Sequence, residues 1–148
     1  MSLFDDMLDD EMFNEAKFGP QQAIAGVLLC AMACDGEISD VESQRMYQYL
    51  SRKKMFRQMP ADQINAMIDR LYEYLNEGGT EILLDRCYQE VPEDLHETVF
   101  ANSVDILMAS GSVSSSEKAF LEDLATKFKL DQQRAKIIIK VMSYKNRG

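Results

Sequence analysis

Apolar residues in this chain recur every three to four positions, the period of an α-helix. Alternating β-branched runs are missing, and the few Gly and Pro residues sit at breaks. Eight helical segments follow from this pattern. Phe4 to Phe13 sets Phe4, Met7, Leu8 and Met12 along one face with acids opposite, and Gly19-Pro20 then breaks the chain. Residues 21–34 form an Ala-rich apolar helix that stops near Asp35-Gly36. Residues 40–54 form a third, with Val41, Met46, Tyr49 and Leu50 inward. A fourth begins near Pro60-Ala61-Asp62 and carries Ile64, Met67, Ile68, Leu71, Tyr72 and Leu75 at helical spacing. It ends at Gly78-Gly79, as a C-cap glycine ends a helix.

The second half repeats the plan. Thr80 can cap a helix with Ile82, Leu83 and Cys87 inward. Pro92 suits the first position of the next, which carries Leu95, Val99, Phe100, Val104, Ile106 and Leu107 and stops at Gly111. Ser114 starts a helix with Phe120, Leu121, Leu124 and Phe128, and Asp131 caps the last, with Ile137, Ile138, Val141 and Met142 inward. The expectation is an all-α fold of about eight helices. It forms a single compact domain over residues 1–148, built from two related halves, roughly 1–78 and 79–148, that share one core.

The halves are tied together by a duplicated turn. Residues 33–42 read Ala-Cys-Asp-Gly-Glu-Ile-Ser-Asp-Val-Glu, and a weaker copy runs from Ala109 to Glu117. In each, Gly36 or Gly111 supplies the positive-φ residue that ends a helix. Ile38 or Val113 plugs the gap between the helices it joins. Ser39 with Glu42, and Ser114 with Glu117, have the spacing of a capping box. An EF-hand is rejected. With the Gly at loop position 6, positions 1 and 3 fall on Ala31 and Ala33, or on Ile106 and Met108, where calcium needs oxygen ligands.

The pattern Ala33, Asp35, Gly36, Ile38, Glu42, duplicated in an all-helical chain of this length, resembles the TerB tellurite-resistance family. In the second copy Gly111, Val113 and Glu117 match, and Ser110 stands where the family pattern has Asp. Val91-Pro92-Glu93 before that copy also resembles the family. The resemblance covers nearly the whole chain. It implies a compact helical fold of two related halves, a link to tellurite or stress resistance, and an acidic metal-binding surface.

The candidate site is the first turn. Asp35 and Glu42, helped by Glu37 or Asp40, offer oxygen ligands suited to calcium, magnesium or manganese rather than zinc. The competing reading is purely structural: Asp35 accepts turn N–H groups and Glu42 serves the cap. Cys30 and Cys34 lie four apart on one helix face within an Ala- and Leu-rich run, which favours buried, inert thiols. His96 is the only histidine and reads as a helix-surface residue. No Cys-x-x-Cys, nucleophile motif or Gly-rich phosphate loop occurs. The basic cluster Arg52, Lys53, Lys54, Arg57 reads as solvated.

Charge narrows the partners. A net charge of −9 over 148 residues argues against nucleic-acid binding. Residues 1–15 carry six acids and no base, while residues 127–148 carry seven bases and one acid. Two solvated faces are the default, and contact between the ends, within one molecule or across a homodimer, is the alternative. The longest apolar run, Ala23 to Cys34, is too short for a membrane span of about 20 residues. Three scattered cysteines and an acidic start point to the cytoplasm, with protein partners. The resulting expectation is a non-enzymatic binding or adaptor protein. Its rival is a metal-dependent or thiol redox enzyme acting at the Asp35/Glu42 turn.

Overall fold

The computed structural model describes residues 18–34, 40–109 and 111–147, without the side chains of residues 40–42. Six helices appear among them: α1 (Gly19–Ala33), α2 (Asp40–Ser51), α3 (Ala61–Tyr88), α4 (His96–Met108), α5 (Ser115–Lys127) and α6 (Gln132–Lys145). Short 3-10 turns precede α3 and α4, at Lys54–Phe56 and Glu93–Leu95. No strand occurs among the described residues. The count of about eight is thus corrected to six. The segment expected over Phe4–Phe13 lies outside the described residues. The fourth and fifth expected helices form the single run α3, interrupted at one residue, Gly79 (φ 80°, ψ 178°). That backbone lies in a region open essentially to glycine.

The core is organised around α1. Ten of its fifteen residues are buried, and Ala23, Ala25 and the run Val27–Ala31 have no exposed surface. A helix apolar on all sides has to be enclosed by other helices. Here α3 and α4 make the main contacts with α1, α2 and α5 touch it more lightly, and α6 packs on α4. Gly26 makes the approach of α3 possible. A Cβ at that position would collide with Cys87 Sγ and stand 3.3 Å from Leu71 Cδ2. The start of α1 is fixed by Phe18, whose ring meets Tyr74 edge-on at 4.9 Å and lies under the Arg86 guanidinium. Its backbone N–H donates to Glu90.

Three inward assignments are corrected. Ile82 is 63% exposed, because Leu83, Leu84 and Cys87 take the core side of α3. On α6, Ile137 and Val141 face outward, 60% and 50% exposed. Three consecutive isoleucines span about 200° of a helix, so they cannot share one face. Ala135, Ile138, Ile139 and Met142 make the contact with the core instead.

The second turn folds as its spacing predicts. Ser114 Oγ accepts the Glu117 N–H at 3.1 Å, and Glu117 Oε1 accepts the Ser114 N–H at 2.8 Å, a complete capping box. Gly111 has φ +96° and Val113 is half-buried. Asp131 caps α6 by accepting the Arg134 N–H at 3.1 Å. Ser39 and Glu42 of the first turn lie outside the described side chains.

Two outcomes are expected in urea unfolding. Ser114→Ala should cost on the order of 1 kcal/mol by removing the cap acceptor. An unchanged midpoint would show that the box contributes nothing. Gly26→Ala should cost about 1–3 kcal/mol by overpacking. Part of that loss should return when Cys87→Ala is added, because the colliding sulfur is then gone.

Candidate functional site

Asp35 and Glu37 lie outside the described residues, as do the side chains of Asp40 and Glu42. Among the described residues, no three His, Cys, Asp or Glu side chains gather to hold a metal ion. The last residue described before the first turn, Cys34, lines an open groove of about 550 Å³. The groove runs between the second part of α3 and the outer side of α5, with Glu81, Asp85, Ser116, Phe120, Asp123 and Lys127 on its walls.

Lys127 organises the charge in this groove. Its Nζ lies 3.3 Å from Asp85 and 3.2 Å from Asp123, and 5.5 Å from the centre of the Tyr88 ring. Partial burial disfavours its charge, but hydrogen bonds to Asp123 and Asp85 outweigh that and raise its pKa. The described groove therefore carries three carboxylates against one ammonium. Its potential is acidic, with one internal counter-ion already bridging α3 and α5.

The thiols differ in their surroundings. Cys30 is fully buried and donates weakly to the Thr80 carbonyl at 3.6 Å. Burial pushes its pKa well above the usual thiol value, with the neighbouring Cys87 adding to the effect. Cys87 is likewise pushed up to about 12, first by burial and then by Glu90. A protonated, enclosed thiol is a poor nucleophile and a poor metal ligand. Cys34 is half-buried, and its Sγ donates to the Ala31 carbonyl at 3.2 Å.

Sequence reasoning missed one polar centre. Asp105, on α4, is 6% exposed. Its Oδ2 accepts from Lys145 Nζ at 2.6 Å and from the Tyr49 hydroxyl at 3.2 Å, and its Oδ1 accepts from Asn146 Nδ2 at 2.9 Å. Three elements meet there: α2 through Tyr49, α4 through Asp105, and the end of α6 through Lys145 and Asn146. Lys53 lies 4.4 Å from the Tyr49 ring centre. Burial works against the Asp105 charge, but the bonds from Lys145, Asn146 and Tyr49, with the Lys145 charge, hold its carboxyl below the usual range. Tyr49 shifts upward, first through burial and then through the adjacent carboxylate. Lys53 shifts downward, through burial and then repulsion from Lys145. The signal that could have revealed this centre is a lone acid inside the apolar stretch Val104-Asp105-Ile106-Leu107. His96 is also more engaged than a surface residue. Its ring stacks on Phe128 at 4.2 Å and its Nε2 lies 3.0 Å from the Val91 carbonyl.

Among the described residues the architecture is all-helical, built around a buried apolar helix, with a Gly turn at Gly111. Residues 21–137 match the family model described as tellurite resistance protein TerB, and the chain belongs to that family. No curated protein and no solved structure matches the chain. No helix among the described residues is long and apolar enough to cross a membrane.

The Asp105 centre gives a pH-dependent expectation. Its folded pKa lies below the unfolded value of about 3.9, so its contribution is complete above that value and is lost as pH falls through the folded pKa. Asp105→Ala should cost on the order of 2 kcal/mol at pH 7. The gap between the native chain and the variant should narrow below about pH 4. A gap that stays constant into acid would assign the loss to packing.

Proposed function

We propose that the chain is a non-enzymatic binding or adaptor protein of tellurite or stress resistance, acting in the cytoplasm on protein partners. It carries a weak divalent-cation site on the turn holding Asp35, Glu37, Asp40 and Glu42, for calcium, magnesium or manganese. We also read it as one domain of two related halves, roughly 1–78 and 79–148. The observation that carries the proposal is the acidic groove ending at Cys34, the residue before that turn. A surface of three carboxylates with one ammonium suits cations or a basic partner.

The asymmetry between the turns supports the first as the cation site. It offers four acids within eight residues. The acid of the second turn, Glu117, is 7% exposed and committed to its capping box. The rival, a metal-dependent or thiol redox enzyme at the Asp35/Glu42 turn, finds no support in Cys30 and Cys87, whose burial keeps them protonated.

Isothermal titration with calcium, magnesium, manganese and zinc tests the reading. One site is expected, with a dissociation constant on the order of 10⁻⁴–10⁻³ M. Asp35→Asn with Glu42→Gln should abolish it, and Glu117→Gln should leave it unchanged. Two tight equivalents, or binding that survives the double change, would place the site elsewhere.

A further inference from the structure

Helix α6 is held firmly on one side and left apolar on the other. Arg134 clamps its start to Glu97 of α4 through a bidentate pair, with a shortest contact of 2.7 Å. Lys145 and Asn146 fix its end to Asp105. Its outward face presents Ile137, Val141 and Tyr144, 60%, 50% and 53% exposed, at i, i+4 and i+7. This is a continuous stripe two turns long. Exposed Lys136, Lys140 and Arg147 lie on the same helix and its end, and no described carboxylate pairs with Lys136 or Lys140. An apolar stripe edged with bases calls for an acidic amphipathic helix as its partner.

One segment of the chain has the sequence pattern of such a helix. Residues 1–15 place Phe4, Met7, Leu8 and Met12 at helical spacing, with six acids and no base. Reach decides between its own α6 and that of another molecule. Described structure begins at Phe18, beside the start of α1, and α1 is separated from α6 by α4. Two interhelical spacings of 8–10 Å, plus the radius of α6, put its outer face up to roughly 20–25 Å away. The five steps from Phe13 to Phe18 cover at most about 18 Å. We propose that residues 1–15 of one copy dock on the Ile137–Val141–Tyr144 stripe of a second copy, giving a two-fold dimer with two reciprocal contacts. The stripe lies mostly, and the acidic segment wholly, outside the residues 21–137 that define the family. The contact therefore concerns this chain's own ends.

Sedimentation velocity over a concentration series tests the dimer, with circular dichroism as the folding control. The full chain should self-associate, and more weakly as salt rises. Val141→Glu and Leu8→Glu should each weaken association at least tenfold without loss of helix. The decisive arm swaps charges. A Lys136→Glu/Lys140→Glu chain and an Asp5→Lys/Asp9→Lys chain should each be monomeric alone and should pair when mixed. Monomers at every concentration, mixed sample included, would overturn the proposal, whether the segment folds back on its own molecule or α6 receives another partner. A dimer indifferent to all four changes would overturn it equally.

Discussion

Enclosure of α1 is the constraint on which the other elements depend. A helix with apolar side chains in every direction gains stability only when other helices surround it. Several of its interior positions are small, Ala23, Ala25, Gly26 and Ala31, so neighbouring backbones come close. Gly26 takes this furthest, letting the Cys87 end of α3 sit where a side chain would otherwise stand. The same enclosure explains the inert thiols. Cys30 and Cys87 are space-filling parts of the α1–α3 contact, and burial removes the thiolate that any redox or soft-metal chemistry would need.

Polar chemistry is consequently displaced to the periphery of that core, where helices of the outer layer are joined. The Asp105 carboxylate couples α2, α4 and the end of α6, and Lys127 couples α3 to α5. The two differ in kind. Asp105 is buried and accepts three hydrogen bonds, so removing it takes the ion-pair partner from Lys145 and one bond each from Tyr49 and Asn146. Lys127 borders an open groove, and its pairs compete with water. The first is a structural joint, whereas the second belongs to a surface that can exchange partners.

What the sequence determined by itself was set by near neighbours along the chain. Helical class, the break at Gly79, the Ser114–Glu117 box and the Asp131 cap all depend on residues at most four positions apart, so spacing alone exposes them. The motif Ala33, Asp35, Gly36, Ile38, Glu42 likewise carried the family, which the match over residues 21–137 shows. Tertiary structure alone decided which apolar residues face the core. Periodicity fixes a helix face only to within about one residue, so it could not separate Ile138 and Ile139 from Ile137 and Val141, or Leu83 from Ile82. It also decided the polar joints. Tyr49, Asp105 and Lys145 are separated by 56 and 40 positions, and only the packing of α2, α4 and α6 brings them within hydrogen-bond distance.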